Sequence, residues 1–248
     1  TEITVNKNDD VWTDTNKVMK LKGADDTVYT ADSTTDGVFS FNNLPNGIYT
    51  VLEDDGADGI DTGVTVTVTD AQGTAEVDYY TYATSVAPAG SGTVTGTANG
   101  TYLKGTTITA TPNAGTGYRF DKWTGTGLVS NNPPTTLTTE TAIVANFVVI
   151  GLRWQTGHNP AQNTKTWTIE DAAPTWTKIV AEQDGATGDV GEITYTVTDP
   201  DTIPGVTITV AADGTGVTLS GTPTTAGTYT VNVTAQAANG QSINQNFV

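Results

Sequence analysis

The chain has 248 residues, room for one or two ordinary domains or for three β modules of roughly 70–90 residues each. Its formal net charge of −17 repels phosphate backbones and anionic headgroups, which argues against nucleic acid as a partner, and with no cysteine it has neither disulfides nor thiolate metal sites. A single histidine, His158, excludes a His-based triad or a multi-His metal site within the chain, and no apolar run approaches the ~18 residues of a membrane-spanning helix.

Composition and pattern both favour strands. Roughly a fifth of the residues are Thr, β-branched and polar, which suits the wet face of a sheet. In chain order, Ile3 to Lys7, Gly47 to Val51 and Val64 to Val68 alternate with period 2. Thr106 to Ala110, Ile193 to Val197 and Thr228 to Val233 do the same further on. Asn46-Gly47, Asp54-Asp55-Gly56, Asn99-Gly100, Ala212-Asp213-Gly214 and Asn239-Gly240 punctuate them as turns. No stretch has a convincing helical period. The expected fold is all-β, built of tandem small β-sandwich or immunoglobulin-like modules.

Three blocks emerge. Residues 1–83 end in the aromatic run Val77 to Tyr82, and Ala87 to Gly92 reads as a linker. Residues 84–149 close on Ala142 to Phe147. Residues 150–248 form the third block, with 150–173 as a connecting segment before Pro174. Asn246-Phe247-Val248 reads as part of a strand, so further modules are expected to follow.

The first block carries Ile3-Thr4-Val5-Asn6-Lys7-Asn8-Asp9, then Thr35-Asp36-Gly37-Val38-Phe39-Ser40-Phe41, Leu44-Pro45-Asn46-Gly47-Ile48-Tyr49 and Val51-Leu52-Glu53. It resembles the CnaB or SpaA-type modules of Gram-positive adhesins and pili. Carboxypeptidase-regulatory or transthyretin-like modules share the Asp-Gly-x-Phe-x-Phe…Leu-x-x-Gly-x-Tyr pattern and stay open beside it. The second block carries Asn99-Gly100-Thr101-Tyr102-Leu103-Lys104-Gly105 and Gly117-Tyr118-Arg119-Phe120-Asp121-Lys122-Trp123-Thr124-Gly125. It resembles the divergent B-repeat of internalin-like surface proteins. The third, through Val217-Thr218-Leu219-Ser220-Gly221-Thr222-Pro223 and Ala226-Gly227-Thr228-Tyr229-Thr230-Val231, is similar to bacterial immunoglobulin-like modules.

The first resemblance implies an internal isopeptide bond, in which a buried Lys attacks an Asn or Asp side chain assisted by a buried acid. Burial serves that chemistry by lowering the Lys pKa and raising the acid's. Lys7 shares parity with Ile3 and Val5, and Glu53 with Tyr49 and Val51, so both should face the core. Asp78, in the last strand of the block, is the candidate acceptor, although it is out of phase with Val77 and Tyr79.

The acidic loop Glu53 to Asp61 offers Asp54, Asp58 and Asp61 as candidate Ca²⁺ ligands, and Asp199 with Asp201 forms a second candidate pair. Trp123 is expected in a core, and Trp154, Trp167 and Trp176 at module junctions. His158 sits in the turn-like Gly157-His158-Asn159-Pro160. The chain contains no Gly-x-Ser-x-Gly elbow and no phosphate-binding loop. These observations point to a non-catalytic segment of a secreted or cell-surface bacterial protein, an adhesive or structural stalk. Its expected partners are a host, matrix or cell-wall protein or glycan, together with neighbouring modules of the parent chain. The alternative is a carbohydrate-binding or spacer region of a secreted glycan-degrading enzyme.

Overall fold

The computed structural model describes residues 1–13, 15–155, 178–185, 189–198, 200–212 and 214–248. Among these there is no helix. The first block supplies β1 (Glu2–Lys7), β2 (Asp10–Val11), β3 (Met19–Lys22), β4 (Val28–Thr30), β5 (Ser33–Thr35), β6 (Val38–Ser40), β7 (Gly47–Glu53), β8 (Ile60–Val68) and β9 (Thr74–Ala87). Next come β10 (Gly92–Gly96), β11 (Gly100–Leu103), β12 (Ala110–Ala114), β13 (Tyr118–Thr126) and β14 (Thr141–Val149). The remainder holds β15 (Leu152–Trp154), β16 (Lys178–Ile179), β17 (Ala181–Gln183), β18 (Ile193–Thr198), β19 (Val206–Val210), β20 (Val217–Gly221), β21 (Val231–Ala237) and β22 (Ser242–Phe247).

These strands gather into two compact units. One comprises Thr1–Ser85, Val94–Pro112 and Lys122–Ala145, the other Val86–Thr93, Asn113–Asp121 and Asn146–Val248. An eight-stranded sheet runs β13-β14-β9-β1-β6-β5, with β11 also on β9 and β2 also on β1. A four-stranded sheet, β4-β3-β7-β8, completes the sandwich. Between the sheets lies a core that includes Ile3, Val5, Met19, Leu21, Phe39, Phe41, Val51, Val66, Val77 and Tyr79. Period-2 patterning puts these residues on one face of each strand, so their burial follows from the alternation itself.

The hairpin turns obey local chemistry. Asn8 and Asp9 take φ of 52° and 69° between β1 and β2, a left-handed pair that Asn and Asp tolerate well. Asp36-Gly37 does the same between β5 and β6. A Cβ at Gly37, whose φ is +79°, would meet the Trp12 carbonyl oxygen at 2.6 Å, so the position demands glycine.

In the second unit, the sheets β16-β20-β19 and β18-β21-β22 enclose Ile179, Tyr195, Val217, Leu219, Val231, Val233 and Phe247 among others. The Tyr195 hydroxyl accepts from the Ala181 amide at 2.9 Å and donates to its carbonyl at 3.3 Å, which satisfies a buried phenol. Trp154 packs edge-on against Phe247, 5.2 Å between ring centroids, and so belongs to this core.

Two strands begin later than their alternation suggests. Thr106 to Thr109 is not a strand: Ile108 donates to Thr135 O and Leu137 to Thr106 O, which together make one isolated antiparallel bridge between Thr107 and Thr136. β21 starts at Val231, because Thr230 exchanges its backbone bonds with Asp201 instead of a ladder partner.

Candidate functional site

Two of the residues singled out from the sequence, Lys7 and Glu53, lie at one end of the first core. β1 presents Ile3 and Val5 to the core, and Lys7 follows them on the same face. Its ammonium lies 5.1 Å from the centroid of the Trp12 ring, a cation–π contact. Trp12 in turn meets Tyr79 edge-on, 5.7 Å between centroids. Glu53 also turns to this end, as its parity requires. One of its carboxylate oxygens pairs with the Lys17 ammonium at 2.5 Å, and the other accepts from the Tyr79 hydroxyl at 2.6 Å. Lys17 stands over the Tyr79 ring, 5.1 Å from its centroid. Burial, reinforced by the adjoining Glu53 carboxylate, pushes the Tyr79 phenol far above its ordinary range.

Asp78 goes elsewhere. β1 and β9 are parallel, with Asn6 opposite Asp78 and Lys7 opposite Tyr79. Registered residues share a face, so Asp78 lies with Asn6 on the face away from Lys7. The Asn6 amide donates to Asp78 Oδ1 at 3.1 Å and to Glu76 Oε2 at 3.3 Å. Lys104 pairs with Asp78 Oδ2 at 2.9 Å. Burial by itself would raise the Asp78 pKa, but the Lys104 and Asn6 hydrogen bonds outweigh it and hold the carboxyl below its usual range. The structure therefore brings Lys7 and Glu53 to the same core end through Trp12 and Tyr79, gives Glu53 a different lysine, and places the Asp78 carboxylate on the opposite face from Lys7.

Lys17, Lys104 and Asn6 were not legible as partners. Lys17 sits in an irregular segment with no parity, and Lys104 arrives from the turn that follows β11 in the second block. Asn6 alone carried a signal, a polar residue in an apolar strand, 7 % exposed.

The acidic loop is held by its own backbone. Asp54 Oδ1 pairs with Lys20 at 2.8 Å and accepts from the Gly56 amide at 2.9 Å. Asp55 accepts from Ala57 and Gly59, and Asp61 from Gly63. The Lys20 bond first, then the Gly56 amide, lowers the Asp54 pKa. Asp58 is exposed. Asp201 accepts from the Thr230 amide at 2.6 Å, whereas Asp199 lies outside the described residues. Among the described residues, no three acidic or imidazole side chains converge as a metal site would require. Trp123 is buried, as expected. Trp167, Trp176 and His158 lie outside the described residues.

No helix of the described residues is long and apolar enough to cross a membrane. No curated protein matches the chain. A solved structure of the protocadherin gamma B2 extracellular cadherin domains 3-6 aligns over 93 % of this chain and 67 % of its own, at 10 % identity and a TM-score of 0.29. Two family models match: the SpaA prealbumin-like fold domain over residues 1–83 and the divergent InlB B-repeat domain over residues 82–151, so the chain carries these two kinds of module in tandem.

Proposed function

We propose that the chain is a non-catalytic segment of a secreted or cell-surface bacterial protein, acting as adhesive or structural stalk modules. The observation that carries this reading is the succession of two different module types, both characteristic of bacterial surface proteins, within the first 151 residues. The facing sheets around Val217, Val233 and Phe247 support a third, immunoglobulin-like module over residues 150–248. The partner in this reading is a matrix or cell-wall protein or glycan, or the next module of the parent chain. The described tryptophans, Trp12, Trp123 and Trp154, are buried or packed against core residues, so among the described residues no row of exposed indoles supports the glycan-degrading alternative. Antibodies raised against the chain should label intact, unpermeabilised cells of the source bacterium. Labelling that appears only after lysis would overturn the reading.

A further inference from the structure

We propose that Asn46 is a site of self-modification, at which the Gly47 backbone nitrogen displaces the side-chain amide as ammonia and water opens the resulting ring to aspartate or isoaspartate. Asn-Gly is the sequence most open to this reaction, because glycine has no side chain to shield its nitrogen and its backbone turns freely. The chain contains three such pairs, Asn46-Gly47, Asn99-Gly100 and Asn239-Gly240. The fold restrains two of them and leaves the first reactive.

The reaction asks two things of the structure. The asparagine Cγ must swing onto the next residue's nitrogen, and that nitrogen must be free to give up its proton. Side-chain hydrogen bonds oppose the first and backbone hydrogen bonds the second. Asn99 is fastened through both ends of its amide. Its Oδ1 accepts from the Thr84 amide at 2.8 Å and from the Thr84 hydroxyl at 3.1 Å, and its Nδ2 donates to Thr84 O at 3.2 Å. Asn239 is half-buried and fastened in the same way. Its Nδ2 donates to Ile150 O at 3.0 Å and to Gly117 O at 3.4 Å, and its Oδ1 accepts from the Gln241 amide at 3.0 Å. The nitrogen that would attack there is also engaged, since the Gly240 amide donates to Ala237 O at 3.0 Å.

Asn46 is exposed and its side chain is held by one bond, from the Asp70 amide to Oδ1 at 2.9 Å. That bond assists the attack, because Oδ1 gains negative charge in the tetrahedral intermediate and the Asp70 N–H is already aimed at it. The leaving nitrogen, Nδ2, has no partner among the described residues. Gly47 opens β7 opposite Val68, the last pair of the β7–β8 ladder, where strands fray first. A Cβ on Gly47 would meet a Tyr49 ring carbon at 3.7 Å and nothing nearer, so the glycine is open to solvent.

The atoms balance without an outside reagent other than water. A bond forms between Gly47 N and Asn46 Cγ, and Nδ2 departs as ammonia with the Gly47 proton. Water then adds to either carbonyl of the cyclic imide. Opening at Cγ gives aspartate, and opening at the backbone carbonyl gives isoaspartate. Both add a negative charge to an acidic chain. Isoaspartate also lengthens the main chain by a methylene inside the turn that the Tyr49 hydroxyl closes onto Pro45 O at 2.8 Å.

This site follows from how the turn is held and not from where the protein acts, so its failure would leave the surface-module reading standing, and the reverse. The test is incubation of the full chain at mildly alkaline pH, with peptide mapping by mass spectrometry and enzymatic methylation of isoaspartate as the two readouts. Asn46 should convert at least about tenfold faster than Asn99 or Asn239, because more bonds must break at those two before Cγ can turn. In urea that lead should collapse. Gly47→Ala, whose Cβ the turn accommodates, should slow conversion at residue 46 and leave the other two rates unchanged. Equal rates in the folded chain, a lead that persists undiminished in urea, or conversion indifferent to Gly47→Ala would overturn the proposal.

Discussion

Replacing Tyr79 with phenylalanine isolates one hydrogen bond at the end of the first core. The ring is 1 % exposed and its hydroxyl donates to Glu53 at 2.6 Å. The Glu53 side chain is itself only 14 % exposed, so water replaces the lost donor poorly. A hydrogen bond to a charged acceptor contributes roughly 1.5–3 kcal/mol, and the partial access at Glu53 places this one near the lower end, about 1.5–2 kcal/mol. The ring and its contact with Trp12 remain, so no cavity cost is added. Urea unfolding followed by circular dichroism should show that loss as a lower midpoint with an unchanged slope. Glu53→Gln in both backgrounds completes a double-mutant cycle, with an expected coupling of about 1 kcal/mol or more. A Tyr79→Phe variant within about 0.5 kcal/mol of the parent, or costs that simply add, would refute the assignment.

Alkaline pH should destabilise the first unit through the same residue. The folded Tyr79 pKa lies above the ordinary value of 10.0, so the unfolded chain releases its proton first, and stability falls as pH rises beyond about 10. The share of phenolate absorbance that Tyr79→Phe removes should therefore appear together with unfolding, and Tyr79→Phe should flatten the alkaline slope of stability. Lys104→Met removes the ion pair at Asp78, and because Lys104 is half exposed the cost should be about 0.5 kcal/mol or less and should shrink with added salt. The folded Asp78 pKa is depressed, so its contribution is present above the ordinary value of 3.8 and is lost as pH falls through the folded value; acid titration of the variant should show a shallower loss. With Lys7 and Asp78 on opposite faces, intact mass should equal that of the plain sequence, and a deficit of one water would restore the cross-link.

Much of the first sandwich is legible in the sequence because a period of two fixes which face a residue takes. Ile3, Val5 and Lys7, and likewise Tyr49, Val51 and Glu53, lie where their alternation puts them. The Gly-Tyr-x-Phe-x-x-Trp signature likewise marks a buried Trp123, with Phe120 edge-on to Phe147 at 5.8 Å. Parity does not choose partners. Glu53 has two lysines within the first block that could have reached it, and only folding of the irregular segment before β3 selects Lys17 over Lys7. Lys104 reaches Asp78 from 26 residues away, which no local pattern encodes. The end of the first block at residue 83 coincides with the family match but not with the end of a strand. The aromatic run Val77 to Tyr82 resembles a closing strand, yet Tyr79 to Tyr82 continue directly into pairing with β11, and the strand does not stop until Ala87. One edge of β9 serves the residues 1–83 sandwich while the other serves the B-repeat segment.

Hydrogen exchange along β9 tests most directly that one strand pairs with both β1 and β11. Amides from Val77 through Tyr82 should exchange as one slow, cooperative stretch, with no break where the first module gives way to the second. Tyr80 to Tyr82 exchanging at the rate of an unstructured linker, while Val77 and Tyr79 stay protected, would contradict it.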